Sequence, residues 1–319
     1  MSRVLVTGAN GFVGRALVER LRRGGWTVRA ALRRATETCA AETVLIGDLA
    51  SPVDWRSALE GCGAVVHLAA RVHVLHERET DAARAFHAVN VEATRALAEQ
   101  ATAQGVRRFV FLSSVKAAAE AGDIPLDDEV TARPESAYGR SKREAEIALS
   151  RIEGLDVTIL RPPLVFGPLV GAQFRRLLKL AASGVPLPFG SIRNARSFVA
   201  VDALADAIAA ALPREGQGAP PFFVTGGPPL STPALIATLR RAMAQSSRLV
   251  PFPAALLGAA ASLLGRTEEM RRLTDSLVLD DSRFRRAFGW SPPREQNEAL
   301  AETARWFLAG APSSWQSGD

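Results

Sequence analysis

The chain contains a single tyrosine and three lysines, Lys116, Lys142 and Lys179. The tyrosine, Tyr138, lies four residues before Lys142 in the stretch SAYGRSK. On a helix that spacing stacks the two side chains on one face, a turn apart. A free phenol titrates near pH ~10, and drawing it toward neutrality requires about 4 kcal/mol of preferential stabilisation of the phenolate. An ammonium one turn away supplies part of that stabilisation. Such a pair can take a proton from an alcohol and return it to a ketone oxygen. A neighbouring hydroxyl is needed to hold that oxygen, and Ser113 and Ser114 close the apolar run FVFLSS.

The elements that must position these groups alternate along the first half of the chain. RVLVTG from Arg3, TVRAAL from Thr27, TVLIGDL from Thr43, AVVHLAA from Ala64, RRFVFLSS from Arg107 and DVTILRPP from Asp156 read as strands. Most are followed by helical stretches, and they are apolar without alternation. That pattern predicts a parallel sheet covered on both faces, a doubly wound α/β domain. After Gly167 proline and glycine become frequent, in GVPLPFG, GQGAPP and TGGPPLSTP. We expect a dinucleotide-binding domain over 1–167 and a smaller α-rich, substrate-binding domain over 168–319, with segments near 197–212 and 221–226 returning to the first.

Between the first strand and first helix stands TGANGFVG, with Gly8, Gly11 and Gly14. Placed there, the glycines permit a tight turn, close approach of backbone to a pyrophosphate and close helix packing. The first helical residues, Phe12 and Val13, would offer free amides to the phosphates. The bound group would be a dinucleotide, and its nicotinamide would exchange hydride while Tyr138 exchanges the proton. The second strand ends in AALRR, so Arg33 and Arg34 stand where an acid would accept from the ribose hydroxyls of NAD. Arg33 there inclines the reading slightly toward NADP(H), with NAD the alternative. Asp48 and Leu49 after the third strand, and Leu68, Ala69 and Ala70 in HLAA, complete a candidate nucleotide cradle.

Composition narrows the rest. The formal charge of +6 comes from dispersed arginines, and five scattered tryptophans give no stacking platform, which argues against nucleic acid. Cys39 and Cys62 have neither metal-ligand spacing nor a disulfide pattern. His73, His76 and Glu77 suggest a metal only in isolation, with no second cluster to complete a shell, so no metal is expected. The apolar run Leu249 to Leu264 holds two prolines and falls short of the ~20 residues that span a bilayer. It reads as a packed helix or an oligomer face. With no signal peptide in view, a cytoplasmic location is expected.

TGANGFVG, GDL, HLAA, FLSS, YGRSK and LRPPLVFGP, in this order, resemble the extended short-chain dehydrogenase/reductases, in their nucleotide-sugar epimerase/dehydratase branch. The resemblance implies a Rossmann domain, with Ser114 as the active-site hydroxyl, Tyr138 as acid/base and Lys142 also on the nicotinamide ribose. It also implies Asn90 and Pro162 in the cofactor site. In RSFVAVDALADAI it implies Arg196 on the substrate diphosphate, a second arginine at Arg271 or Arg272, and a homodimer through paired long helices. Dehydratases of this branch carry Thr-Asp-Glu where this chain has Ser114-Val115-Lys116, so dehydration is not expected. Gln173 stands where an asparagine often touches the sugar nucleotide, and Leu277 where a tyrosine would narrow the hexose pocket. The activity implied is oxidoreduction at C4 of a UDP-hexose, with Leu277 compatible with an N-acetylated sugar. It would be either a 4-epimerase or a 4-keto-sugar reductase, of the kind that supplies surface-polysaccharide precursors. Rival readings are a ketoreductase on a non-nucleotide substrate and a non-catalytic dinucleotide sensor.

Overall fold

The structure, a computed structural model, describes residues 3–72, 79–122, 124–127, 130–213 and 220–310. The first half runs β1 (Arg3–Thr7), α1 (Phe12–Arg23), β2 (Thr27–Leu32), β3 (Glu42–Leu45), α2 (Arg56–Leu59), β4 (Ala64–His67), α3 (Glu79–Phe86), α4 (Ala93–Ala103), β5 (Arg108–Leu112), α5 (Ala137–Leu149) and β6 (Asp156–Arg161). The second half adds β7 (Leu164–Phe166), α6 (Ala172–Ala182), β8 (Phe198–Ala200), α7 (Val201–Ala211), β9 (Phe222–Phe223), α8 (Thr232–Ala242), α9 (Ala254–Leu263), α10 (Thr267–Thr274), α11 (Ser282–Phe288) and α12 (Gln296–Leu308).

Seven strands form one parallel sheet in the order β3-β2-β1-β4-β5-β6-β9. Along β1 the side chains alternate between the two faces. Val4 and Val6 enter a cluster with Leu17 and Leu21 of α1 and Leu204 and Ile208 of α7. Leu5 enters another with Phe109 and Phe111 of β5, Leu97 of α4 and Leu149 of α5. Burial on both sides explains why these strands carry no polar alternation. The order reverses between β1 and β4, which opens a crevice at their carboxyl ends, where ligands bind in such sheets.

The second half is interleaved with this body. β9 extends the main sheet beyond β6, α7 packs on α1, and β8 pairs with β7 in a separate two-stranded sheet. A further seam forms where Arg196 takes bridge positions against both Leu230 and Leu277. The apolar run from Leu249 contains α9, which turns Leu257 and Ala261 inward and leaves Leu256, Leu263 and Leu264 exposed. Among the described residues, no helix is long and apolar enough to cross a membrane.

Candidate active site

At the nucleotide end, Gly8 has φ +65°, and a Cβ there would stand 2.8 Å from the Ala69 amide nitrogen. At Gly14 a Cβ would lie 2.0 Å from the Gly8 carbonyl oxygen. Side chains are thus excluded where the turn meets β4 and where α1 meets the turn. Gly11 is the extended N-cap of α1, and neither a capping side chain nor a first-turn acid answers the helix amides. An anion-accepting helix start against a glycine cradle fits a dinucleotide pyrophosphate. Phe12, Val13 and Leu68 are half-buried against the core beside it. Ala69 and Ala70 follow Leu68, both also half-buried. Leu49 packs on the opposite cluster. Asp48 is exposed and accepts from the Ala50 amide at 2.9 Å. Arg33 and Arg34 are exposed just past β2.

Beneath the cradle lies a buried hydrogen-bond chain. His67 Nδ1 is 2.7 Å from Thr7 Oγ1, and His67 Nε2 is 3.0 Å from Thr94 Oγ1. Thr94 already donates to the Asn90 carbonyl at 2.8 Å. Its one proton is therefore committed, so Nε2 must donate to it and Nδ1 must accept from Thr7. Thr7 Oγ1 in turn accepts from the Leu68 and Ala69 amides. The imidazole is a fixed neutral tautomer, its pKa pushed down to about 3 by burial and by the Lys142 charge. A π-helical stretch, His87–Glu92, links α3 to α4 and carries Asn90. The Asn90 amide donates to the Arg71 carbonyl and to Ser141 Oγ and accepts from the Arg71 amide. Asn90, expected at the cofactor, thus braces the chain after β4 against α5.

Ser114 caps a short 3-10 turn, Val115–Ala117. The turn is held by the Val115 amide donating to the Pro162 carbonyl at 3.0 Å. Ser136 caps α5 by accepting from the Gly139 amide at 3.1 Å. A Cβ on Gly139 would come within 2.4 Å of the Lys116 carbonyl oxygen. The glycine after Tyr138 therefore lets the start of α5 press against the Ser114 turn. Tyr138 is half-buried and hydrogen-bonded to Ser114. Lys142 is 2 % exposed, with Nζ donating to the Leu112 carbonyl at 2.9 Å and lying 4.6 Å from the Phe111 ring centre.

The electrostatics differ from the expectation of a phenol already lowered by its lysine. Burial pushes Tyr138 up to about 12, against the hydrogen bond from Ser114. Burial also pushes Lys142 down to about 7, against the Glu146 carboxylate. Desolvation penalises both charged forms, and the lysine head is turned to a backbone carbonyl. Near neutrality the protein's own groups give a neutral phenol beside a partly charged lysine.

At the other end, Arg196 is half-buried and donates to the Asp275 carbonyl at 2.9 Å. Burial and Arg272 lower its pKa, while Asp275 and Glu120 act the other way. Of the two candidate second arginines, Arg272 is the one that Arg196 senses; Arg271 is exposed. A pocket at this seam is lined by Gly122, Arg193, Asn194, Asp275 and Ser276, among others. Leu277 is in register with Arg196 but only 4 % exposed, packed with Val115, Ala118 and Phe223. It forms the wall behind the Ser114 turn. Gln173 is on α6, and its side chain lies outside the described residues. So do His73, His76 and Glu77; among the described residues no group of three potential metal ligands exists.

Sequence reasoning missed Glu120, Glu146, Gly139 and Arg193. Gly139 carried a signal, a glycine in a helix's first turn directly after the key tyrosine. The others depend on contacts between distant segments. Glu120 pairs with Lys116 at 2.7 Å and accepts from the Ser136 amide, bringing a carboxylate within electrostatic range of Arg196.

Residues 4–224 match the family model for the NAD dependent epimerase/dehydratase family. The chain is 35% identical over 312 residues to a UDP-glucose 4-epimerase of Vibrio cholerae, covering 96% of this chain and 95% of that one. It is 28% identical to N-acetyl-alpha-D-glucosaminyl-diphospho-ditrans,octacis-undecaprenol 4-epimerase of Escherichia coli O157:H7, over 80% of this chain and 77% of that protein. The crystal structure of UDP-N-acetylglucosamine 4-epimerase from Bacillus cereus shares the fold, with a TM-score of 0.75, 21% identity and 97% of each chain covered. The chain belongs to the NAD-dependent epimerase/dehydratase family and is an enzyme of the extended short-chain dehydrogenase/reductase type.

Proposed function

We propose that this enzyme is a UDP-sugar 4-epimerase acting on an N-acetylated hexose. One observation supports the reading: Tyr138 is hydrogen-bonded to Ser114 and Lys142 donates to the carbonyl that ends β5, two strands along the sheet from the glycine turn that ends β1. When bound, the nicotinamide supplies hydride exchange at the sugar carbon and, in its oxidised form, a positive ring. Gly8, Gly11 and Gly14 would seat the pyrophosphate, and Lys142 would hold the ribose. Ser114 would polarise the C4 oxygen. Tyr138 would remove the hydroxyl proton and return it after the 4-keto sugar has turned over. Arg196, with Arg272 beside it, would take the diphosphate through the planar guanidinium geometry suited to phosphate. Similarity to 4-epimerases named for N-acetylglucosaminyl substrates supports the acetamido sugar, as does a leucine at position 277.

A second reading, a 4-keto-sugar reductase consuming NADPH, draws on Arg33 and Arg34 past β2, where no acid stands. Incubating the purified protein with UDP-N-acetylglucosamine, without added cofactor, and following the sugar by proton NMR separates the two. The C4 epimer will form if a retained cofactor regenerates itself. No epimer, with turnover of a 4-keto sugar only on addition of NADPH, would overturn the epimerase in favour of the reductase. The homodimer belongs to the same proposal, and light scattering at twice the 34.0 kDa chain mass tests it.

A further inference from the structure

The Tyr138–Lys142 turn continues for one more turn to a third side chain on the same helix face. Glu146 is 2 % exposed, and its carboxylate is the hub of a buried network. Ser113 Oγ donates to its Oε1 at 2.6 Å. Arg161 grips both oxygens, Nε to Oε1 at 2.9 Å and Nη2 to Oε2 at 2.6 Å. Arg143 adds a second cation at 3.1 Å from the outer side.

Each partner is the neighbour of a residue assigned to the chemistry. Ser113 lies between Leu112, whose carbonyl receives Lys142 Nζ, and Ser114. Arg161 precedes Pro162, whose carbonyl holds the Ser114 turn. A single carboxylate therefore ties the ends of β5 and β6 to α5. A bidentate buried arginine–carboxylate pair is rigid in direction as well as distance.

Resting on the reading of Tyr138 and Lys142 as the proton-exchanging pair, we infer that Glu146 is a positioning residue: it fixes the Ser114 turn against α5 and places a carboxylate that favours the charged form of Lys142. The groups facing Lys142 leave this role to Glu146. From α5 they are Tyr138, a neutral phenol, and Glu146 itself, with Arg143 on the far side of the carboxylate. From β4 comes His67, held neutral by burial and by the Lys142 charge. From β5 come the Phe111 ring and the Leu112 carbonyl, while Arg161 of β6 reaches the lysine only through Glu146. Among the described residues Glu146 is the anion that acts on Lys142, and it favours the charged lysine against burial. Removal of its charge would deprotonate Lys142 at lower pH. Removal of Arg161 would leave the carboxylate less compensated and act in the opposite direction.

With three lysines in the chain, carbon-13 labelling at lysine Cε gives three side-chain signals, two of them assigned with Lys116→Arg and Lys179→Arg. The readout is the Lys142 titration in the full-length protein, which requires no substrate. A failed epimerase assay therefore leaves this test intact. In Glu146→Gln the Lys142 titration is expected to move to lower pH, and in Arg161→Gln to higher pH. Glu146→Asp, which keeps the charge but shortens the reach, should leave the titration near wild type while reducing turnover. A structural role alone would not give shifts of opposite sign. An unchanged Lys142 titration in both charge-removing variants would overturn the inference. If Glu146→Gln does not fold, the Arg161→Gln arm decides alone: an upward shift supports the inference and no shift refutes it.

Discussion

The two ends of the crevice are built in different ways. At the proposed nucleotide and proton-exchange end, short contiguous motifs lie at the carboxyl ends of neighbouring parallel strands, and the register of β1, β4 and β5 brings them together. At the proposed substrate end, Arg196 gains its surroundings from Leu230, Asp275 and Leu277, segments far apart in sequence. The first end is fixed by excluded side chains and buried hydrogen bonds. The second is a seam of bridges and half-buried arginines. Damage at the first should therefore remove chemistry, and damage at the second should weaken substrate binding.

The largest effect expected is that of Tyr138→Phe. General acid–base catalysis contributes about 10²–10⁴-fold, so kcat should fall by about 10³-fold with KM nearly unchanged. No turnover by wild type or variant, with dinucleotide binding unchanged by the substitution, would favour the non-catalytic sensor instead. Next comes Gly139→Ala, whose new Cβ meets the Lys116 carbonyl. We expect about a 100-fold loss in kcat as Ser114 and Tyr138 are pushed apart, since small misplacements at a reacting centre cost about that much.

Arg196→Ala should act at the other end, raising KM for a UDP-sugar by about 10–100-fold, the loss of a charge-assisted contact worth about 1.5–3 kcal/mol. An apolar ketone turned over equally well by wild type and variant would revive the non-nucleotide ketoreductase. Arg272→Ala should raise KM by a smaller factor, while Arg271→Ala should leave steady-state kinetics unchanged. The reverse order would move the substrate seam to the outer face of α10.

The smallest effect is on stability. His67 has a folded pKa of about 3, below its ordinary 6.5. The unfolded chain therefore holds the extra proton between those values, and the stabilising contribution, complete above pH 6.5, is lost as pH falls toward 3. His67→Asn keeps an acceptor for Thr7 and has no titrating ring. It should lower Tm at neutral pH yet flatten the decline of Tm in that acid window.

The difference between the ends also explains what could be read from the sequence. The parallel sheet was legible because its strands are apolar on both faces, and the glycine turn because its three glycines sit between a strand and a helix. Tyr138 and Lys142 were legible because one helical turn makes neighbours of them. Glu146, on the same face, was passed over because its role depends on Ser113 and Arg161, which only the pairing of β5 with β6 delivers. Arg196 emerged from family resemblance, since one arginine among so many carries no local mark. The choice between Arg271 and Arg272 needed the orientation of α10. The expected lowering of Tyr138 by Lys142 failed for a reason no spacing displays, since both groups are buried and each is driven toward its neutral form.

The role of Tyr138 as the acid/base of an assembled dinucleotide site is tested most directly by its own titration. Because the chain holds one tyrosine, carbon-13 labelling at tyrosine Cζ gives one signal, which can be titrated with and without oxidised NAD. The phenol should titrate near pH 12 in the protein alone and move well toward neutrality when the dinucleotide binds. A titration unmoved by saturating NAD would contradict that role.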